Sequence, residues 1–126
     1  MEKFLTADEV WAIAEAIPRR HPLVHCITNM VSANDCANAL LAVGAAPTMA
    51  HHVMEVTEIT SGAAALVCNF GAIEDYEAML AAGREAAGLG HPIVVDPVGV
   101  AASSYRRKLC LDLINEIRPT CIRGNC

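Results

Sequence analysis

Short apolar runs with no polar interruption, set between longer amphipathic segments, are what most constrains the fold of this chain. Ala64-Ala65-Leu66-Val67-Cys68-Asn69 is one such run and Pro92-Ile93-Val94-Val95-Asp96 is another. A strand with one wet face alternates apolar and polar residues, so runs like these belong to strands buried on both faces. Between them, residues 74–89 carry Tyr76, Met79, Leu80 and Gly83 at the i, i+3, i+4, i+7 spacing of a helix, with acidic residues in its first turn. Residues 103–117 set Leu109, Leu113 and Ile117 on one stripe, with Arg106, Arg107 and Lys108 elsewhere. Upstream the alternation repeats. A helix is predicted over 6–17, opened by Thr6 and Glu9 at capping-box spacing and stopped by Pro18. A strand over 23–27, a helix over 29–43 closed by Gly44, a strand over 47–50 and a helix over 53–61 follow, and a last strand covers 120–123. The pattern predicts an α/β fold with a mainly parallel sheet and helices on both faces.

Composition narrows the functional classes. A length of 126 residues is that of a single domain. Nine Lys+Arg against fourteen Asp+Glu give a net charge of -5, without the basic stripe that a nucleic-acid surface needs. No stretch reaches the roughly 18 uncharged apolar residues of a membrane span. Met1-Glu2-Lys3-Phe4-Leu5 lacks the apolar run and small-residue cleavage site of a signal peptide, which predicts a cytoplasmic protein. The six cysteines include no C-x-x-C pair, and Cys26, Cys68 and Cys121 sit inside apolar segments, so they read as reduced structural thiols. Cys121 and Cys126 lack neighbouring partners for a zinc site.

In an open α/β sheet, ligands bind outside the carboxyl ends of the strands. Polar and flexible residues gather there: Thr28-Asn29, Met49-Ala50-His51-His52, Asn69-Phe70-Gly71, Asp96-Pro97-Val98-Gly99 and Arg123-Gly124-Asn125. Together they predict a polar small-molecule site. Asp96, held by a rigid strand, suits Mg²⁺ or its waters, or a proton; a turn or N-cap aspartate is the equal alternative. Arg123 suits a phosphate, or else a surface carboxylate. Met49 suits a ligand or a gap in the core. The histidines, including His21, His25, His51 and His52, read as core, turn or surface residues. No P-loop, G-x-G-x-x-G or G-x-S-x-G motif occurs.

Leu23-Val24-His25-Cys26-Ile27-Thr28-Asn29 resembles the opening motif of the hydroxyethylthiazole kinase family, thiamin-salvage enzymes of the ribokinase-like superfamily. The segment from Ala37 to Ala50, which contains Pro47-Thr48-Met49, resembles the family's second block. Asp96-Pro97-Val98-Gly99-Val100 and Ile122-Arg123-Gly124-Asn125 resemble its third and fourth. The resemblance implies a ribokinase-like three-layer sandwich of which residues 1–126 form the N-terminal part. It implies transfer of the ATP γ-phosphate to the hydroxyl of 4-methyl-5-(2-hydroxyethyl)thiazole, with Mg²⁺. By the same resemblance Met49 and Asn29 meet the thiazole, Arg123 and Asn125 meet ATP, and Asp96 lies at the magnesium–phosphate region. The resemblance also implies a homotrimer. Its metal-assisting glutamate, its glycine-rich anion hole and the catalytic cysteine beside the transferring phosphate fall beyond Cys126, so residues 1–126 alone are expected to be inactive. Two other readings stand beside this one. One is a related activity such as an ATP-dependent nicotinamide-nucleotide-hydrate dehydratase; the other is a non-catalytic small-ligand module. Thr28-Asn29 and Pro47-Thr48-Met49 favour the thiazole enzyme.

Overall fold

The computed structural model describes residues 4–125. Residues 1–3, part of the segment read for a leader, and Cys126, weighed above for zinc, lie outside them. Helix α1 (Ala7–Arg20) leads into strand β1 (Leu23–Ile27), α2 (Ala33–Ala42), β2 (Ala46–Thr48) and α3 (Val56–Ser61). Strand β3 (Ala65–Asn69) runs through a 3₁₀ turn (Phe70–Asp75) into α4 (Tyr76–Leu89), followed by β4 (Ile93–Asp96), α5 (Ser104–Ile117) and β5 (Cys121–Ile122). All five strands are parallel, in the order β2-β1-β3-β4-β5. No described helix is long and apolar enough to cross a membrane.

The local signals account for most boundaries. Thr6 and Glu9 form the capping box, with Thr6 N–H donating to Glu9 Oε2 at 2.8 Å and Glu9 N–H to Thr6 Oγ1 at 3.2 Å. Pro18 does not stop α1. It lies in the last turn, where a missing N–H costs one hydrogen bond, and the helix closes at left-handed His21, whose N–H meets Ile17 O at 2.8 Å. Helix α2 starts later than predicted because Asn29 Oδ1 accepts from Ser32 N–H at 3.0 Å and folds residues 29–32 into a turn. Helix α3 is delayed the same way, by Met54 N–H donating to His52 Nδ1 at 3.2 Å. Glu74 and Asp75 fall in the 3₁₀ turn rather than in α4, because Asp75, at φ -93° and ψ 21°, is the non-helical N-cap from which α4 starts. Pro47 is tolerated in β2 because that strand is at the sheet edge, where its missing donor breaks no ladder.

The non-alternating runs are not buried equally on both faces. Right-handed crossovers put α3, α4 and α5 over one face and α2 over the other. Leu66, Cys68, Ile93 and Val95 are fully buried on the first face, whereas Val67 and Val94, on the second, are half-buried. Cys121 pairs with Val94 in β5 and is exposed, so it is not the small core residue that its segment suggested. Cys26 and Cys68 are buried, and burial pushes their thiols up to about 11 and about 12. All five described cysteines are free.

Gly83 of α4 packs directly against Ile117 of α5. A Cβ built there would lie 2.6 Å from Ile117 Cγ2, and Ile117 is buried. Alanine at an exposed helix position gains up to about 1 kcal/mol over glycine. Overpacking a filled core costs about 1–3 kcal/mol, so the clash should win. Gly83→Ala is expected to lower the urea midpoint with the m-value unchanged, while Gly88→Ala, with open space around it, should not.

Candidate active site along the strand ends

Parallel pairing brings the carboxyl ends of the strands to one edge, and register decides which rim residues are neighbours. Asn69 pairs with Asp96 across β3 and β4. Asn69 Nδ2 donates to Asp96 Oδ2 at 3.2 Å, and Asn69 Oδ1 accepts from Gly71 N–H at 2.7 Å. Arg123, whose N–H still reaches Val95 O at 2.9 Å, places Nη1 3.4 Å from the same Asp96 Oδ2. At the other end, Asn29 follows β1 with its amide against Gly71. A Cβ on Gly71 would lie 2.5 Å from Asn29 Nδ2 and 2.7 Å from Asn69 Oδ1. Asn29, Gly71, Asn69, Asp96 and Arg123 therefore make one continuous polar line across four strands.

Two cavities open on this line. One, of about 250 Å³, is bordered by Thr28, Asn29, Gly71, Asp75 and Arg106. The other, of about 370 Å³, is bordered by Asp96, Pro97, Val100, Arg123 and Asn125. Of the residues singled out in the sequence, Asp96, Arg123 and Asn125 share the second cavity and Asn29 borders the first. Met49 stands half-buried one residue past β2 and borders neither. Of the two readings of Arg123, the structure shows the pair with a carboxylate, and that carboxylate is Asp96. The Arg123 side chain is 69% exposed and that of Asp96 22%.

Residues 14–126 match the sequence model of the Hydroxyethylthiazole kinase family. The chain belongs to that family. It is 48% identical over 123 residues to the hydroxyethylthiazole kinase of Alkaliphilus metalliredigens, covering 96% of this chain and 45% of that relative. It is 51% identical over 113 residues to the hydroxyethylthiazole kinase of Listeria monocytogenes serotype 4a, covering 88% and 42%. Among solved structures, the hydroxyethylthiazole kinase protein from Pyrococcus horikoshii superposes with a TM-score of 0.85 at 40% identity, over 90% of this chain and 45% of that one. The chain thus spans somewhat under half the length of these relatives.

Several residues that shape this rim were not singled out as site residues. Asn69 ends its apolar run as Asp96 ends its own, and that shared position is the signal that points to it. Arg106 gave no signal, because it falls in a basic stretch on the polar side of α5. Its Nη1 nevertheless reaches Phe70 O at 2.6 Å and borders the first cavity. The structural reading of His25 holds. It is fully buried, with Nε2 2.7 Å from Ala50 O and Nδ1 2.8 Å from Thr60 Oγ1. A carbonyl only accepts, so Nε2 carries the proton and the Thr60 hydroxyl donates to Nδ1. This neutral imidazole ties β1 and α3 to the loop that follows Met49. His21 and His51 hold turns, with Nδ1 2.8 Å from Gly44 O and 3.4 Å from Asp75 Oδ1 respectively.

Burial lowers the pKa of His25 below the ordinary 6.5, against weaker upward pulls from the Ala50 hydrogen bond and the Glu55 charge. Between the folded and unfolded values the unfolded chain binds the proton and the folded chain does not. The stability from neutral His25 is therefore complete above 6.5 and is lost as pH falls through the folded value. Urea unfolding between pH 7.5 and 5 should show stability dropping on acidification, with a shallower drop in His25→Gln. An equal slope in that variant would assign the acid sensitivity to other groups.

Proposed function

We propose that the protein carrying this chain transfers the γ-phosphate of ATP to the primary hydroxyl of 4-methyl-5-(2-hydroxyethyl)thiazole, in thiamin biosynthesis or salvage. The observation that carries this reading is the polar line from Asn29 to Arg123, in a chain of the hydroxyethylthiazole kinase family. Met49 and Asn29, past β2 and β1, form the thiazole end. Arg123 and Asn125, past β5, form the ATP end. Strands about 4.8 Å apart put roughly 19 Å between Met49 and Arg123, room for an alcohol and a triphosphate in line.

Phosphoryl transfer asks for positioning and for charge opposite the transferring phosphate. Arg123 is suited to the second task because its present partner holds it weakly. An exposed ion pair is worth about 0.2–1 kcal/mol, against about 1.5–3 kcal/mol for a hydrogen bond involving a charged group. The guanidinium can therefore turn to a phosphate at little cost. Asp96 fits Mg²⁺: it is a hard oxygen donor at the rim, and no described residue donates to its Oδ1. Mg²⁺ bound there would neutralise phosphate charge and orient the β- and γ-oxygens. Asn29 is positioned to hold the hydroxyethyl group and Met49 to pack on the ring.

The reading extends to a cytoplasmic homotrimer. Met30, Val31, Val53 and Met54, in the loops after β1 and β2, are exposed apolar residues at the thiazole end, the kind of surface that a neighbouring subunit covers.

Steady-state kinetics of the protein carrying this chain tests the assignment. Arg123→Lys should raise the KM for ATP roughly tenfold, because lysine lacks the planar fork. The KM for the thiazole should move less than about twofold on the same argument. Met49→Ala should do the reverse, raising the thiazole KM with thermal stability nearly unchanged. A core methionine would instead lose about 2–5 kcal/mol of stability, and an unchanged thiazole KM with that loss would remove Met49 from the site.

A further inference from the structure

We propose that Asn69, itself fixed by Gly71, is a positioning residue that holds the Asp96 carboxylate with one oxygen committed and the other free for the reactants. The inference rests on the reading of Asp96 as a reactive-site carboxylate.

Three observations carry it. First, the direction of the Asn69 amide is determined: its Oδ1 takes the Gly71 N–H at 2.7 Å, so Nδ2 is the end facing Asp96. Second, both donors to Asp96 converge on one atom. Asn69 Nδ2 at 3.2 Å and Arg123 Nη1 at 3.4 Å share Oδ2, and no described residue donates to Oδ1. Arg123 is mostly exposed and is assigned above to ATP, so when it turns away Asn69 is the one described residue left to hold the carboxylate rotamer. Third, the Asn29 and Asn69 amides both occupy the space that a side chain at position 71 would need. A Cβ there would meet Asn29 Nδ2 at 2.5 Å and Asn69 Oδ1 at 2.7 Å. Gly71 is not among the positive-φ residues, so alanine fits its backbone and the strain would fall on those two side chains. One glycine thereby couples the thiazole-side amide to the carboxylate-side amide.

The test compares variants of the protein carrying this chain in thiazole phosphorylation, with thermal unfolding to check the fold. Asn69→Ala should lower kcat roughly 10–100-fold, the scale of a reacting group displaced by up to about 1 Å. KM for the thiazole should stay within about twofold, since Asn29 is untouched. Asn69→Asp keeps the size of the side chain and can still accept from Gly71, but it cannot donate to Asp96, so its kcat should fall at least as far. Were Asn69 a packing residue, Asn69→Asp would retain activity where Asn69→Ala did not. Gly71→Ala, which disturbs both amides, should lower kcat and raise the thiazole KM together. Adding Asn69→Ala to Asp96→Asn should cost nothing further, because the first residue acts through the second. A crystal structure of Asn69→Ala should show the Asp96 carboxylate turned, a readout independent of turnover. Full activity in Asp96→Asn would overturn the reading of Asp96 and this inference with it. Loss of activity in Asp96→Asn together with unchanged kcat in Asn69→Ala would overturn the inference alone.

Discussion

The register between β3 and β4 is the constraint on which the candidate site depends. In a parallel pair, residues opposite one another project on the same face, so pairing Leu66 with Ile93 obliges Asn69 to stand beside Asp96. A slip of one residue would send Asn69 and Asp96 to opposite faces and would also turn one strand's apolar pair, Leu66 and Cys68 or Ile93 and Val95, out of the core. The apolar residues thus enforce the register, and the polar pair at its end inherits it. The polar bonds at the rim, two of them to an incompletely buried carboxylate, are too weak to set it themselves.

The two faces of the sheet divide the labour. The face under α3, α4 and α5 holds the continuous core, with Phe70, Met79, Leu113 and Ile117 fully buried and α4 drawn against α5 at Gly83. Asn69 and Asp96 alternate with Cys68 and Val95, so they project on the other face, where covering is partial. A rigid, dry side therefore carries groups that remain accessible on the open side.

Two long polar side chains anchor loops that the ladder does not reach. His25 joins the loop after β2 to α3 from inside the core, and Arg106 joins α5 to the 3₁₀ turn through Phe70 O. Both bond to backbone or hydroxyl groups rather than to carboxylates, so they fix position without neutralising charge at the rim. This leaves Asp96 and Arg123 joined to one another only by a largely exposed and weak pair.

The sequence by itself determined the order of elements, the parallel α/β class, the capping box at Thr6, the stripes of α4 and α5, and the rim positions of Asn29, Asp96, Arg123 and Asn125. These follow from local periodicity and from the rule that strand ends carry the site, neither of which needs a partner strand to be known. Tertiary structure decided the rest. The late starts of α2 and α3 depended on side chains of Asn29 and His52 folding back on nearby backbone, a competition that apolar spacing does not register. The one-sided burial of β3 and β4 came from the strand order, which sets the face on which each crossover helix lands. Asn69 and Gly71 gained meaning when β3 paired with β4, and Arg106 when α5 packed beneath the turn after β3. Contacts between residues some thirty positions apart, as from Asn69 to Asp96 or from Arg106 to Phe70, leave no local pattern for a sequence to display.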